Sequence, residues 1–403
     1  MPDRTAPAWD LEINKKPLPD DVRALIQAVS VKATVDGADE LVIRAVAWSQ
    51  REQRYRLIGE STFAPGNRVV VSMGYAADDL EVLQRFRLVR SEDSYPPTGP
   101  PRTVVRGYSP EYELAEHMTE RQWPGTVTAS QVAEDIAADH GLRATGDSIP
   151  GSSIEYADLL KPRGTSDWEF LRRLALTEGY GPPLVRYDAD QRADVLYFRP
   201  QDLATQENRV LMVYNRTVAG GGMIPTNDEV ELLSFSPTLS LAGVPTKVRV
   251  TGWSVELQTA YVVTAGLETG IADPVIFDGT PAEIASLEGG ATLKVSVGED
   301  GETESDADDL EEVAIYIESE ADAIEFARAW VARRSAAYLV ARGSLQGAPG
   351  VWVGEIHEVA GVADVHAGLW EIEAITHTIT GSSFRSQFDA TRVLVDEPSP
   401  AEL

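Results

Sequence analysis

The strongest constraint on this chain lies near its end. Gly354-Glu355-Ile356-His357-Glu358-Val359-Ala360-Gly361-Val362 is followed by Gly368-Leu369-Trp370-Glu371-Ile372-Glu373, and then by His377-Thr378-Ile379-Thr380. Apolar and polar residues alternate within each run, and glycines punctuate them. Alternation at period two puts one face of a strand on a core and the other in water. Glycine supplies the positive φ that tight turns require. Three short strands joined by turns are predicted.

The other end of the chain repeats the theme. Val29, Val31, Ala33 and Val35 alternate with polar residues. Further strands are predicted at Leu41 to Trp48, Arg68 to Gly74, Leu83 to Arg90 and Thr103 to Gly107. The second of these is entered through the Pro-Gly turn of Phe63-Ala64-Pro65-Gly66-Asn67. Short strands at near-regular spacing point to a sandwich or barrel. At 403 residues the chain exceeds one ordinary core, and two to four domains are expected.

The middle has a different period. Thr128 or Ser130 is placed to cap a helix whose stripe is Val132, Ile136 and Ala137, with His140-Gly141 as its stop. A second helix starts at Ser166-Asp167 and carries Trp168, Phe170, Leu171 and Leu174 at core spacing, ending near Gly179. Residues 201–228 are polar and include Gly220-Gly221-Gly222, and a linker is expected there. The β pattern returns from Glu229, through Val230 to Ser234 and Thr246 to Trp253. Between Glu299 and Glu325 there are 13 acidic residues and no basic ones, the pattern of a solvated, mobile segment. A helix from Ala321 to about Val340 and a last β block from Gly350 to Val395 follow.

Composition removes several function classes. There are no cysteines, so disulfides, thiolate metal sites and Cys nucleophiles are excluded. The formal charge of −29 argues against a general nucleic-acid binder, which needs a basic face. Met1 to Pro19 has no apolar core and no window reaches 18 apolar residues, so neither a signal peptide nor a membrane anchor is expected. Of the five histidines, His357 and His366 fall near Asp364, but no pair has helical zinc spacing, and no metal or other cofactor is expected. Asp167 and Glu169 suit the first turn of a helix better than a hydrolytic carboxylate pair. No serine lies in a G-x-S-x-G context, and the triple glycine lacks the Lys-Ser/Thr of a phosphate loop.

The ordered set of motifs resembles the phage late control D, or VgrG-type, baseplate hub family. Asp36-Gly37-Ala38-Asp39-Glu40-Leu41 resembles that family's turn into its second strand. Phe63, Gly66, Val69, Val71, Gly74 and Tyr75 resemble its next strand, and Arg121-Gln122-Trp123 the segment before its first helix. Ser166 to Ala175 resembles its string S-D-x-x-F-L-x-R-L-A, and Gly350, Val353-Gly354, Val359 to Val362 and Gly368 to Ile379 its closing barrel. Lys161 departs from the Gln usual before the Ser-Asp helix. The acidic insertion has no counterpart, and the chain ends where VgrG-type proteins continue into a spike.

The resemblance implies a mainly β chain with α+β: two tube-like barrels flanking an α+β connector. The expected division is 1–108 for the first barrel and 109–228 for the connector with its linker. The second barrel takes 229–258 and 321–395, with an acidic insertion at 259–320 and a tail at 396–403. It also implies a structural protein, not an enzyme: a homotrimeric ring adapting a three-fold spike to a six-fold inner tube. Its partners would be a spike protein, inner tube proteins and baseplate wedge proteins, with no specific nucleic-acid binding. Assembly in the bacterial cytoplasm into a virion or particle is expected. The alternative is a carbohydrate-active hydrolase of mixed β and α+β domains. The segment Ser383 to Val395 has edge-strand character, which makes Phe384, Arg385, Ser386, Gln387 and Phe388 candidate assembly residues; the same pattern also suits a strand that closes a barrel.

Overall fold

The computed structural model describes residues 6–50, 52–76, 80–152, 154–200, 210–214, 229–239, 247–254, 259–268, 274–275, 291–297, 310–314 and 339–393. The first block holds β1 (Pro7–Ile13), β2 (Lys16–Pro17), α1 (Asp20–Arg23), β3 (Ile26–Thr34), β4 (Glu40–Val46), β5 (Trp48–Ser49) and β6 (Arg54–Tyr55). It continues with β7 (Arg68–Tyr75), β8 (Glu81–Ser94) and β9 (Arg102–Tyr108). The connector follows as α2 (Glu111–Glu116), β10 (Arg121–Thr128), α3 (Ala129–Asp139), β11 (Glu155–Lys161), α4 (Asp167–Thr177), β12 (Leu184–Asp188) and β13 (Ala193–Tyr197).

Then come β14 (Leu211–Tyr214), β15 (Glu229–Leu239), β16 (Lys247–Ser254), β17 (Thr259–Glu268), β18 (Pro274–Val275), β19 (Ala291–Val297) and β20 (Leu310–Ala314). The last block is β21 (Leu339–Gln346), β22 (Ile356–Ala360), β23 (Gly368–Thr380) and β24 (Phe384–Arg392). No helix among the described residues is long and apolar enough to cross a membrane.

One thirteen-stranded sheet runs β2-β1-β7-β8-β9-β4-β3-β23-β22-β14-β15-β21-β24, and β24 returns to pair with β23. The last six strands therefore close into a barrel. The first block contributes six principal strands as well, and the pairing order repeats. In each set, numbered along the chain, the second strand pairs the third, the third the sixth, the sixth the fifth, the fifth the fourth and the fourth the first. The sets differ at the remaining position: β14 pairs β15, whereas β3 pairs β23 instead of β1. They also differ in direction, since β14 is parallel to both of its neighbours and β1 is antiparallel to β7.

Three expectations need correction. The runs at 368–373 and 377–380 are one strand, β23. Burial falls on Trp370 and Ile372, then on Ile375, His377 and Ile379, so the inward face changes phase at Glu373-Ala374. A one-residue phase slip looks like a break to any period-two reading. Second, residues 247–254 pair with β17 and β20 in a separate five-stranded sheet, β18-β19-β17-β16-β20, rather than in the barrel. Alternation identifies a strand but not its sheet. That sheet spans much of the range expected as an acidic insertion, and Leu310–Ala314 is a strand within it, because ladder pairing uses backbone groups that a charge count ignores. Third, Leu211–Tyr214, inside the expected linker, is a barrel strand. Of the helix expected from Ala321 to about Val340, residues 321–338 lie outside the described residues, as do the triple glycine and the tail at 396–403, while Leu339 and Val340 already belong to strand β21.

The connector core follows from its pattern. Thr128 and Gln131 form a reciprocal capping box at the start of α3, and Gly141 takes φ +65° just past its end. Trp168, Phe170, Leu171 and Leu174 are buried with Trp123, Val132, Ile136 and Phe198. The Phe170 and Trp123 rings stack, with centroids 5.7 Å apart and planes 7° from parallel. Phe170→Ala should cost about 3–5 kcal/mol, the usual loss for a large buried aromatic; denaturant unfolding checks this.

In the second barrel a Cβ on Gly343 would land inside the Phe388 ring, and one on Gly347 inside the Phe384 ring. Gly343→Ala should therefore destabilise by about 1–3 kcal/mol through overpacking, read as a lower melting temperature.

Candidate functional site

The candidate assembly strand is β24. Phe384, Ser386 and Phe388 are buried, while Arg385 and Gln387 face out. Its backbone pairs with β21 on one side and β23 on the other. The edge-strand expectation is corrected here: the strand closes a barrel, and closure leaves no ladder groups to offer. What β24 presents outward is side chains, Arg385, Gln387 and Asp389, the last paired with Arg342 at 3.2 Å.

The two barrels share β23. Its first half pairs β22 through Gly368–Glu371, and its second half pairs β3 through Ala374–Thr380. At this joint the Tyr75 ring meets Phe384 at 5.7 Å, and its hydroxyl donates to Gly347 O at 3.2 Å. His377 lies beneath, fully buried and stacked on Trp352. Its Nε2 lies 3.1 Å from Val351 O, and its Nδ1 lies 2.8 Å from Ser386 Oγ. A ring donating from Nε2 and accepting at Nδ1 satisfies both contacts and is neutral.

The hairpin β12–β13 ties the connector to both barrels. Gln84 of β8 donates to Val185 O at 2.6 Å. Arg186, next along β12, donates to Glu355 Oε1 at 2.8 Å and to Val353 O at 3.0 Å. Burial works to raise the Glu355 pKa, but Arg186 and His357 outweigh it and hold the carboxyl at about 2. Beside Val185 lies a different arrangement. Asp39 and Glu111 are both buried; Glu111 Oε1 accepts from Val185 N at 2.9 Å, while its Oε2 has no hydrogen bond. Desolvation raises both carboxyls above the ordinary range, and Asp39 raises Glu111 further.

In the connector, three elements meet on one carboxylate. Asp167 Oδ2 lies 2.6 Å from His117 Nδ1 and 2.8 Å from His140 Nε2, and Asp167 Oδ1 is paired with the buried Lys161. Desolvation would raise the Asp167 pKa, but bonds from His140, Lys161 and His117 bring it to about 2. Glu169 is on the surface, paired with Arg173 at 2.5 Å. Asp167 and Glu169 thus do different structural work. Sequence spacing missed the cluster because His117, His140 and Asp167 are far apart along the chain. Lys161, the one departure noted before the Ser-Asp helix, was the available signal. His357 is buried in β22 and His366 lies in the turn Asp364–His366. Among the described residues the converging group is His117, His140 and Asp167.

No protein-family model matches the chain, and no curated protein matches it by sequence. Solved structures do. A tail protein from Neisseria meningitidis aligns over 96% of this chain and 98% of its own, with TM-score 0.59 and 10% identity. The 43 kDa tail protein of prophage MuSo2 from Shewanella oneidensis aligns over the same shares, with TM-score 0.58 and 12% identity. An E. coli component of the type VI secretion system, described as similar to the T4 tail proteins gp27 and gp5, aligns over 96% of this chain and 77% of its own, with TM-score 0.54 and 11% identity. At such identities the fold is what is shared, and it is one that these tail and secretion-system proteins have.

Two pH dependences follow from the buried groups. His377 has its pKa lowered by burial from 6.5 to about 4. The folded chain then binds fewer protons than the unfolded one, so stability is full above the unfolded value and falls as pH drops through that window. The loss should reach on the order of 3 kcal/mol at its acid end, and His377→Gln should flatten it in urea unfolding. Glu111 has the opposite sign. Its raised pKa means stability falls as pH rises from the usual carboxylate range to about 8, and Glu111→Gln should remove its part of that decline.

Proposed function

We propose that this chain is a structural hub protein of a phage tail or a phage tail-like contractile injection system. Three copies form a ring, each giving two six-stranded units, so six similar units face the inner tube while the three-fold axis matches the spike. The observation that carries this reading is the repeated strand order of the two halves. A closed three-fold assembly needs self-consistent interfaces, and it meets a six-fold partner only if each subunit offers two like surfaces. The fold shared with tail and secretion-system proteins supports the same conclusion. Late control D-type hubs are the subgroup proposed, with spike, tube and baseplate wedge proteins as partners.

The hub has no catalytic step in this proposal. The acid surplus keeps a central channel from holding DNA, since only lumen-facing charge acts within a screening length of about 8 Å. Light scattering on the size-exclusion peak should give three times the chain mass, with no DNA retention at moderate salt. A monomer that cleaves glycans would instead establish the hydrolase alternative, and an Arg-lined pore would overturn the channel argument.

A further inference from the structure

We propose that His117, His140 and Asp167 form a binding site for one divalent cation of the Zn²⁺ class in the connector. The three donor atoms lie within 4.8 Å of one another, and they come from the end of α2, the end of α3 and the start of α4. Asp167 N donates to His117 O at 3.1 Å, which fixes the spacing of two of the three ligands independently of their side chains. The pocket is graded from inside to outside: the Asp167 side chain is 5% exposed, His140 13% and His117 44%. An ion can therefore enter past His117.

The metal-free contacts are hydrogen bonds from two imidazoles onto one carboxylate oxygen. Zn²⁺ with bonds of about 2.0–2.1 Å holds its ligands roughly 3.3 Å apart in a tetrahedron. The present N···O spacings of 2.6 and 2.8 Å need to widen by roughly half an ångström each. The side chain of His117, the most exposed of the three, is the one placed to rotate outward and supply most of that. When the ion takes the Nδ1 lone pair of His117 and the Nε2 lone pair of His140, each ring's proton moves to its other nitrogen: on His117 to Nε2, which faces Thr119 Oγ1 at 3.3 Å, and on His140 to Nδ1.

Lys161 defines the class and strength of the site. Its ammonium occupies Oδ1 and leaves Oδ2 as a single ligand atom, the usual work of an outer partner on a metal-bound carboxylate. Its charge also opposes the ion, so binding is weaker than at a dedicated structural zinc site. Two imidazoles and one carboxylate oxygen suit Zn²⁺ and Co²⁺ and are poor for Mg²⁺ or Ca²⁺, which require oxygen ligands.

The test uses the purified full chain, stripped with chelator, then titrated with Co²⁺ and competed with Zn²⁺. The expected result is a saturable visible Co²⁺ band at one ion per chain and a Zn²⁺-dependent rise in melting temperature, with no response to Mg²⁺. His117→Ala and His140→Ala should weaken binding by at least ~10–100-fold, Thr119→Ala by about 10-fold, as outer partners do, and His366→Ala not at all. Circular dichroism reports whether each variant is folded; Thr119→Ala, on the surface, keeps the test decisive if His140→Ala is not. A wild-type chain without the Co²⁺ band, or a band that survives in folded His117→Ala, overturns the site and leaves the cluster a hydrogen-bonded joint only.

Discussion

Everything in the two-barrel body depends on how β23 divides its edge. A strand has two edges and can normally serve two neighbours. β23 serves three, because one edge changes partner part-way, from β22 at Gly368–Glu371 to β3 at Ala374–Thr380. Val35 N bonds Glu373 O at 3.0 Å and Ile372 N bonds Glu355 O at 3.0 Å, so backbone bonds reach the exchange from both neighbours. The phase slip between Ile372 and Ile375 is the cost of that exchange, and it lets both halves of the strand bury a face. The first six-stranded set lacks a β1–β3 ladder at the place where β3 turns to β23.

Polar groups bind the connector to this body. Gln84 of β8 reaches in to Val185 of β12, and the next residue, Arg186, reaches out to Glu355 and Val353. Such bonds carry geometric specificity at modest net energy. The contrast within a few residues is informative. Glu355 keeps its charge because Arg186 compensates it, whereas Glu111 and Asp39 sit against each other and share the penalty of burial. A joint that mixes a paired and an unpaired acid responds to pH at one point and not the other.

Local pattern carried the sequence a long way. The capping box at Thr128, the Gly141 stop and the buried stripe of Trp168, Phe170, Leu171 and Leu174 are all short-range features, visible because a helix satisfies its own backbone. Strands are different. Phe384 to Phe388 alternate as clearly as any strand here, yet alternation does not reveal whether the edges are taken. The β16 segment alternates equally well and belongs to another sheet. Charge counting misled at Leu310–Ala314, where a parallel ladder with β16 matters more than side-chain acidity. The His117, His140 and Asp167 cluster was illegible for the same reason: it is made by tertiary closure, not by spacing.

The edge accounting bears directly on how such a chain can assemble. With β24 returned to β23, the thirteen-stranded sheet has its open end at β2 and β1. That end is guarded. Leu18 N bonds Leu11 O at 3.0 Å, Arg23 Nη1 bonds Trp9 O at 2.7 Å, and the Arg23 guanidinium lies 4.9 Å over the Trp9 ring. A short edge strand, a proline at its end and a charged side chain laid along the edge are how soluble sheets avoid pairing with one another. Strand addition between subunits is therefore disfavoured at both ends of the sheet. In the ring proposed above, this sheet would then contribute outward side chains and loops, such as those of Arg385 and Gln387, rather than ladder groups. Their complementarity would depend on the two halves presenting the same strand order, which ties the repeat in topology to the symmetry of the proposed assembly.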